Sequence, residues 1–269
     1  MTPSEIAAFR RTVYDFYNQH ARRLPWRETD DPYRIYVSEI MLQQTQVDRV
    51  ILKYREFLDA FPSVYALASA QLADLLAVWS GLGYNRRALN LKKAAEQIVS
   101  EFGGDIPSEP SALQTLPGIG PYTAAAIAVF AFGKPVLLIE TNVRRVFIHE
   151  FFTDRDNIKD SDIMPLVEET LDRDHPREWY YALMDYGTML KQTVGNANRR
   201  SAHYTKQAPF EGSDRQIRGE VLRLLNRQAL SEGEIVYAIN RDAGRVSSTI
   251  TDLCAEGFLV RDGDILRIG

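Results

Sequence analysis

Cysteine is nearly absent from the sequence, since Cys254 is the only one among 269 residues. A single thiol excludes a disulfide within the chain and any metal site that needs several cysteines. Long hydrophobic runs are absent too, because no apolar stretch approaches the roughly 18 residues of a membrane-spanning helix. The segment MTPSEIAAFRRTVYDF predicts an amphipathic helix and lacks the apolar run of a signal peptide. We therefore expect a cytoplasmic protein with no membrane contact.

An excess of positive charge is also lacking: the net charge is −4 and the pI is near 5.7. Taken alone, this balance disfavours nucleic acid, because phosphate binding needs local positive charge. Basic pairs nevertheless recur, several of them beside glycine-rich turns where backbone amides also point outward. Each pair is compatible with a solvated helix face as well as with a phosphate site. The pairs are Arg22-Arg23, Arg86-Arg87, Lys92-Lys93, Arg144-Arg145 and Arg199-Arg200.

Residues 1–212 predict helices almost throughout. Apolar residues recur at helical spacing in 47–58 and 72–79, and short connectors carry glycine or proline. The segment TAAAIAVFAF, 123–132, is apolar on every side, as expected of a helix at the centre of a core. No strand alternation and no repeat of fixed period occur here. We predict a mainly α, compact helical bundle.

From about Ser213 the pattern changes. Three short helical segments are followed by FLVRDGDILRIG, which predicts two strands around an Asp-Gly turn. Three helices and a hairpin predict a winged helix-turn-helix domain over 213–269, with the third helix as recognition element and the hairpin as wing. This module contains eight arginines and nine acidic residues, so its charges nearly cancel. A structural or protein-contact role is therefore as compatible with it as DNA reading.

The nonapeptide LPGIGPYTA, 116–124, predicts a phosphate-binding hairpin. Gly118 and Gly120 permit positive φ and let backbone amides approach a ligand closely. The helix that begins near Tyr122 directs its positive end at the same point. Leu116 and Ile119 would anchor the turn in the core. Such a turn between two helices suits a DNA phosphate without reading bases.

This nonapeptide, followed about twenty residues later by IETNVRRV, resembles the helix-hairpin-helix (HhH-GPD) DNA glycosylase superfamily. The strings LPWRETDDPYRIYVSEIMLQQTQV and WSGLGYNRRALNLKKAA resemble MutY-type adenine DNA glycosylases in particular. The resemblance runs from about Leu24 to about Leu190. It implies a two-lobed helical fold: one six-helix lobe with the hairpin over about 30–133, and a second lobe from 1–29 plus 134–212.

N-glycosidic cleavage needs one acid and one anion beside the sugar–base bond. Glu39 lies in VSEIML, where mostly apolar neighbours are expected to raise its pKa and keep a proton available. The resemblance gives Glu39 the role of the glutamate that protonates adenine and then handles the water. The alternative is an ordinary helix-surface glutamate.

Glu140 stands where the family has an aspartate. Taken alone, the residues around Glu140 predict the start of a helix, with Thr141 or Asn142 as N-cap. The resemblance implies an anion that stabilises the oxocarbenium-like sugar, directly or through a transient covalent adduct. The extra methylene displaces the carboxylate by roughly 1 to 1.5 Å unless the loop retracts, and such misplacement can cost about 100-fold in rate. The alternatives are a repositioned working pair with Glu39, direct activation of water by Glu140, or a disabled glycosylase.

Asn142 is expected to fix this loop or carboxylate by hydrogen bonding. The two acids, although 101 positions apart, are expected to converge on one extruded nucleotide. Tyr122 stands where bifunctional relatives carry a Schiff-base lysine, and a phenol forms no imine, so the resemblance implies a monofunctional enzyme. A core aromatic at the helix start is the alternative for Tyr122.

Further positions match residues of the family that touch DNA. Gln44 matches the side chain inserted into the base stack, and Tyr84 the aromatic wedged beside the opposite base. Asn85 departs from the second aromatic usual there. Trp26 and Arg27 match residues that line the adenine pocket. The residues expected on the DNA backbone are Gly118, Ile119, Gly120, Arg86 and Arg144.

The family usually holds an iron–sulfur cluster on four cysteines. Lys191 occupies the first cysteine position, and KQTVGNANRRSAHYTK contains no thiol, so we expect no cluster. The side chains of Arg199, Arg200, His203 and Lys206 are instead expected to form a basic loop that meets phosphate. No protein-held metal is expected, apart from K⁺ or Na⁺ at the hairpin carbonyls of 116–120.

The family's Nudix-like C-terminal domain, which inspects 8-oxoguanine, is replaced by the winged helix over 213–269. We therefore predict a monomeric, monofunctional adenine glycosylase that acts on double-stranded DNA with adenine opposite 8-oxoguanine or guanine. If the organism is prokaryotic, the protein is expected at the nucleoid. The alternatives are a glycosylase for mismatched thymine or uracil, and a non-catalytic protein that binds DNA lesions on the same scaffold.

Overall fold

The computed structural model describes residues 1–205 and 209–269, and helices dominate both stretches. In chain order the α-helices are α1 (Pro3–His20), α2 (Pro32–Leu42), α3 (Val47–Ala60), α4 (Val64–Ser69), α5 (Leu72–Trp79), α6 (Arg86–Phe102), α7 (Pro110–Leu113), α8 (Pro121–Phe132), α9 (Thr141–Phe151), α10 (Asp160–Thr170), α11 (Pro176–Thr193), α12 (Asp214–Leu225), α13 (Glu232–Ile239) and α14 (Ala243–Ala255). The strands are β1 (Leu230–Ser231), β2 (Leu259–Asp262) and β3 (Ile265–Ile268). The mainly α fold class is confirmed.

Local sequence signals set several helix starts. The hydroxyl of Thr2 accepts from the amide of Glu5, whose carboxylate accepts in return from the amide of Thr2. This capping box satisfies backbone donors that the first helical turn leaves open. Pro3 occupies the first turn of α1, where a missing N–H costs nothing.

The chain divides into two compact units. The first contains Met1–Tyr36, Ser108–Thr115 and residues 119–205. The second contains Val37–Pro107, Leu116–Gly118 and residues 209–269. The predicted lobe boundaries near 30, 133 and 212 stay predictions.

Helix α8 contributes Ala125, Ala126, Val129 and Phe130 to the core of the first unit. Every residue from Thr123 to Phe130 is buried, which confirms the central helix predicted from its apolar composition. Aromatic rings close the packing between α1, α9 and α11. Phe9 meets Phe147 and Trp179 edge-on, with ring centroids 5.5 and 5.8 Å apart. Such edge contacts add to the hydrophobic stabilisation of burial.

In the second unit, α3 to α6 pack around buried aromatic and aliphatic side chains. Phe57 and Trp79 are fully buried and meet edge-on at 6.0 Å. The ammonium of Lys92 in α6 donates to the carbonyl of Ala68 in α4, at 2.8 Å. This bond satisfies a carbonyl near the C-terminal end of α4.

Residues 214–268 form the predicted winged helix. α12 buries Ile217 and Val221, and α14 buries Val246 and Ile250. β2 and β3 pair antiparallel around the Asp-Gly turn, and the sheet order is β1-β3-β2. Strand β1 was not predicted, because two residues are too few to show alternation.

Among the described residues, no helix is both long and apolar enough to span a lipid bilayer.

Candidate active site

Glu140 is itself the N-cap of α9, so the predicted N-cap at Thr141 or Asn142 is wrong. Its Oε1 accepts from the amides of Asn142 at 2.6 Å and Val143 at 2.8 Å. The positive end of the helix therefore faces this carboxylate. Burial raises the pKa of Glu140 above its ordinary value of 4.5, although these amide bonds act in the opposite direction. The extra methylene of glutamate is accommodated within an ordinary capping geometry.

Asn142 links Glu140 to a buried cation. Its Nδ2 donates to Oε2 of Glu140 at 3.2 Å, which is the hydrogen bond expected from the sequence. Its Oδ1 accepts from Nη1 of Arg145 at 2.6 Å. The same Nη1 reaches the carbonyl of Gly187 in α11, at 2.8 Å. Both carboxylate oxygens of Glu140 are thus held by hydrogen bonds. The side chain of Asn142, which holds one of them, is itself held by Arg145.

The segment before Glu140 is held by a buried phenol. The hydroxyl of Tyr180 donates to the carbonyl of Val136 and accepts from the amide of Leu138, both at 3.1 Å. Burial raises the pKa of Tyr180 to about 12, so this group stays neutral. The chain therefore reaches Glu140 along a defined path.

A polar loop at 196–205 packs beside the start of α9. Nδ2 of Asn198 donates to the carbonyl of Thr141 at 2.8 Å, and Oδ1 of Asn196 accepts from Nε of Arg145 at 3.3 Å. An open pocket of about 190 Å³ lies between this loop and α9. Its lining residues are Thr141, Arg144, Asn196, Asn198, Ser201, His203, Tyr204 and Thr205.

The same loop stands where the family places its iron–sulfur cluster. A cluster held on four cysteines requires thiolates, and the described part of this loop offers amides, hydroxyls, guanidinium groups and the single imidazole of His203 instead. Arg200 uses its Nη1 on the carbonyls of Phe152 and Thr153, so its charge serves the loop itself. The donor set does not fit a cluster. Lys206, the last member of the predicted basic loop, lies outside the described residues.

Arg144, predicted on the DNA backbone, is paired within the protein. Its Nε and Nη2 donate to the two oxygens of Asp160, each at 2.7 Å. The hydrogen bonds from Arg144 hold the pKa of Asp160 below its usual range. A phosphate would therefore have to share Arg144 with Asp160, and the phosphate contact stays a prediction.

Arg27, predicted in the adenine pocket, forms a bidentate ion pair with Asp185 at 2.8 and 2.9 Å. The backbone amide and Nε of Arg22 donate to the same carboxylate at 2.9 and 2.6 Å. Burial alone would raise the pKa of Asp185, but the bonds and charges of Arg27 and Arg22 outweigh it and lower that pKa. The buried indole of Trp26 lies one residue away. A contact of Trp26 or Arg27 with a base stays a prediction.

Glu39 lies in α2 and is only 9% exposed. Its chain neighbours Ser38 and Ile40 are buried as well, so the alternative of an exposed helix-surface glutamate is wrong. Glu39 belongs to the second unit. Its role as a proton donor stays a prediction.

Two exposed turns of the second unit carry the residues expected in the base stack. Gln44 has φ 58° and Tyr84 has φ 49°, so both adopt the left-handed conformation that residues other than glycine rarely take. Backbone strain of this kind costs on the order of 1–3 kcal/mol and persists only where the surroundings enforce it.

Hydrogen bonds from Arg87 hold both of these turns in their conformation. Its side chain is buried, and its Nη1 and Nη2 make six hydrogen bonds, to the chain on either side of Gln44 and to the turn before Tyr84. The acceptors are the carbonyls of Ile40, Met41, Gln43, Leu82 and Gly83 and the hydroxyl of Thr45. Burial lowers the pKa of Arg87 to about 10, which keeps it charged at neutral pH. One cation therefore connects the turns of Gln44 and Tyr84.

The winged helix touches the second of these turns. Nη1 of Arg215 in α12 donates to the hydroxyl of Tyr84 at 2.9 Å. Arg86, predicted on the DNA backbone, pairs instead with Glu256, which also accepts from Arg218. The side chain of Arg86 remains 64% exposed, and its contact with phosphate stays a prediction.

The glycine turn has a positive φ at Gly118 but not at Gly120, whose φ of −87° is ordinary extended backbone. Gly118 has φ 79°, and a Cβ there would lie 2.8 Å from the side chain of Asn90, so both conformation and space require glycine. Gly120 is the N-cap of α8, and Ile119 is buried as expected. Tyr122 is 38% exposed, so the alternative of a core aromatic is wrong. Phosphate or a monovalent cation at this turn stays a prediction.

Sequence reasoning did not predict the roles of Arg87, Arg145, Asp185 or Arg215. Arg87 and Arg145 belong to basic pairs, and adjacent positions on a helix point about 100° apart. One member of such a pair can thus be buried while the other is exposed. The pattern showed the pair but not which member is buried.

Residues 37–172 match the HhH-GPD superfamily of base excision DNA repair proteins. The chain therefore belongs to this superfamily. Within it, the chain is similar to the adenine DNA glycosylase of Mycolicibacterium smegmatis, with 35% identity over 91% of this chain and 90% of that protein. It is 36% identical to human adenine DNA glycosylase over 70% of this chain and 36% of the human protein.

A solved structure of a thermostable thymine-DNA glycosylase has a TM-score of 0.65 to this chain, with 26% identity. The match covers 73% of this chain and 92% of that one. The chain spans about a third to a half of the length of several curated relatives that it matches.

Proposed function

We propose that the protein is a monofunctional adenine DNA glycosylase that acts on mispaired double-stranded DNA. The observation that carries the proposal is the pair of strained, exposed turns at Gln44 and Tyr84, tied together by Arg87. An enzyme that works on a base must extrude the nucleotide and replace the lost stacking. An amide and a phenol held on rigid turns suit that task. The names of the mycobacterial and human relatives support adenine as the base.

In the proposed reaction, Glu39 gives its proton to the adenine and makes it a better leaving group. The N-glycosidic bond breaks, and the sugar is left with oxocarbenium character. Glu140 stabilises that positive charge as an anion. Water then adds at C1′ and gives a proton to the Glu39 carboxylate, which leaves free adenine, an abasic site and Glu39 protonated again. The resemblance assigns both roles, and the burial of Glu39 and the hydrogen bonds of Glu140 are compatible with them.

The surroundings of Glu140 favour a fixed anion over a group that activates water. Its Oε1 already accepts two amide hydrogens, and the Asn142 side chain holds Oε2. These bonds occupy acceptor sites that an attacking water would need, and they oppose the rise in pKa that burial causes. Of the three alternatives for Glu140, a repositioned working pair with Glu39 therefore fits best.

Base release by Glu140→Gln and Glu140→Asp tests this assignment. Glutamine removes the charge, and we expect single-turnover excision of adenine to fall by roughly 10²–10³-fold, as when a preorganised electrostatic group is lost. Aspartate remains a good N-cap and keeps the charge but withdraws the carboxylate by one methylene, so its activity should fall less than that of the glutamine variant. Thermal melting of each variant controls for folding. Full activity of Glu140→Gln would show that this carboxylate is not the anion.

The substrate panel contains duplexes with adenine opposite 8-oxoguanine, adenine opposite guanine, and thymine or uracil opposite guanine. Release of thymine or uracil alone would favour the alternative that the thymine-DNA glycosylase structure suggests. Binding without release on every duplex would favour a non-catalytic protein. Borohydride should trap no covalent complex, since Tyr122 cannot form an imine, and a trapped complex would contradict monofunctional chemistry.

A further inference from the structure

The carboxylate of Glu256 is shared between two helices of the second unit. Arg86, the first residue of α6, and Arg218 in α12 each donate through two nitrogens to both oxygens of this carboxylate. Burial alone would raise the pKa of Glu256, but the hydrogen bonds and charges of Arg86 and Arg218 outweigh it and lower that pKa. The carboxylate is therefore charged at neutral pH, and two cations share one anion.

The two arginines of this cluster are held to different degrees. The guanidinium carbon of Arg218 lies 5.0 Å from the centre of the buried ring of Phe258, and only 22% of the Arg218 side chain is exposed. Most of the Arg86 side chain is exposed, and Glu256 is its only ion-pair partner among the described residues. Glu256 directly follows α14 and so belongs to the same winged helix as Arg218. Arg86 can therefore leave the cluster while Glu256 stays paired with Arg218.

The start of α6 favours an anion. Its first residue is Arg86, its first turn contains no acidic residue, and the side chain of Asn85 makes no capping hydrogen bond. A cation at the positive end of a helix is disfavoured unless an anion accompanies it. Glu256 supplies that anion to Arg86 from the winged helix. A phosphate diester carries the same charge and likewise offers two acceptor oxygens to a guanidinium, so the two anions are alternative partners of Arg86.

We propose that Glu256 is an autoinhibitory counter-ion, which holds Arg86 in the free protein and gives it up to a phosphate of the DNA backbone when a duplex binds. This inference rests on the proposed function and on the predicted contact of Arg86 with phosphate. Because Arg218 keeps the carboxylate neutralised, the exchange leaves no unpaired charge on the protein. A phosphate must compete with Glu256 for Arg86. The contact thus lowers the affinity for the DNA backbone, which is the part of binding that does not depend on sequence.

Equilibrium binding tests the inference without any base release. The full-length protein is titrated against a fluorescent duplex that carries a tetrahydrofuran abasic analogue opposite guanine, and against the same duplex without the analogue. Glu256→Gln removes the charge at nearly constant side-chain size. We expect this variant to bind both duplexes about 2- to 5-fold tighter than the wild type, which is the range that an exposed ion pair contributes to an equilibrium constant.

Glu220→Gln is the matched control. Glu220 lies in the same winged helix and pairs with Arg241, so this change removes one negative charge without touching the cluster of Glu256. Its affinity for both duplexes should stay at the wild-type value. An equal gain from the two glutamine variants would assign the effect to net charge and would overturn the inference.

Arg86→Ala identifies the cation that Glu256 withholds. In the wild type we expect this change to weaken binding and to reduce the slope of log K against log salt by about 0.9, the value for one phosphate contact. In the Glu256→Gln background it should abolish the whole gain in affinity. A gain that persists without Arg86 would contradict the exchange.

Arg218→Gln gives a second test that leaves Glu256 in place. Glu256 then has Arg86 as its only partner, so Arg86 should be harder to release and DNA binding should weaken, whereas the same change in the Glu256→Gln background should have little effect. If Glu256→Gln binds DNA no tighter than the wild type although urea denaturation shows it folded, the cluster is a structural link between α6 and α12 and the inference fails. If the protein releases no adenine but Glu256→Gln still gains affinity through Arg86, the proposed function fails and the autoinhibitory contact stands.

Discussion

At the scale of single residues, Arg87 has the most consequential environment in the second unit. A buried guanidinium normally requires a carboxylate partner, because desolvation of a charge is costly. The two Nη groups of Arg87 donate to carbonyl groups and one hydroxyl instead, while its buried Nε has no hydrogen-bond partner among the described residues. Its planar fork reaches acceptors in two directions at once, which the point charge of lysine cannot do. The geometry of two turns thus depends on one side chain.

Arg87→Lys should uncouple these turns while it retains the positive charge. We expect single-turnover base release to fall by on the order of 10–100-fold, because Gln44 and Tyr84 lose their fixed backbone. The decisive measurement is a double-mutant cycle. In a Gln44→Ala/Tyr84→Ala background, Arg87→Lys should have little further effect on the rate. A full additional loss in that background would mean that Arg87 acts by another route.

At the scale of helices, the contact between α9 and α11 controls the position of Glu140. A Cβ on Gly187 of α11 would lie 2.6 Å from the carbonyl oxygen of Asn142. Real Cβ atoms do not approach backbone oxygen that closely, so any side chain at 187 must push the two helices apart. Asn142 and Glu140 would move with the first turn of α9.

Gly187→Ala should therefore destabilise the protein by about 1–3 kcal/mol through overpacking, and lower the rate of base release. Gly219→Ala is a matched control, because Gly219 also lies within a helix but a Cβ added there would meet no atom within 4 Å. That change should be neutral or stabilise by up to about 1 kcal/mol, from helix propensity alone. Urea denaturation measures the free energy of unfolding of the two variants. Equal effects of the two substitutions would contradict the close contact.

At this scale the sequence predicted more of the fold than of the site. The apolar segment 123–132 could belong only to a buried helix, and the three helices and hairpin after Ser213 were evident from spacing and the Asp-Gly turn. The roles of Arg27 and Arg86 were less accessible. Asp185 lies 158 positions from Arg27, and Glu256 lies 170 positions from Arg86. No local sequence pattern predicts an ion-pair partner at such separations.

At the scale of the whole molecule, the low net charge conceals an uneven distribution. Many of the positively charged side chains form ion pairs. Among the described residues, the most buried of these joins Arg27 and Arg22 to Asp185, whose side chain is 2% exposed. Removal of one partner from a buried ion pair leaves the other without compensation. The stability of the folded chain therefore depends on the charge state of Asp185.

Asp185→Asn should cost about 3–5 kcal/mol of the free energy of unfolding at pH 7. Because the pKa of Asp185 is lowered in the folded state, its contribution is present above the unfolded value of roughly 3.9 and is lost as the pH falls through the folded value. The difference between wild type and variant should accordingly shrink in acid, as followed by denaturant titrations at several pH values.

Asp214→Asn is the control for this effect. Asp214 pairs with Arg245, but its side chain is 77% exposed, and exposed pairs contribute about 0–1 kcal/mol. Its removal should change stability little at any pH. A comparable loss from both substitutions would indicate a general charge effect rather than the buried pair.

The carboxylate of Glu256, in the C-terminal module, is the counter-ion of both Arg218 and Arg86. Arg86 lies two residues after Tyr84, so this module sets the charge beside the turn that carries Tyr84. A protein shortened at residue 212 would lose more than a folded appendage, since Arg86 would lose its counter-ion and Tyr84 the donor that holds its hydroxyl. Such a truncation would alter the charge and the side-chain order of the remaining surface in a single step. Experiments on the helical part alone would thus describe a chemically different surface from that of the intact chain.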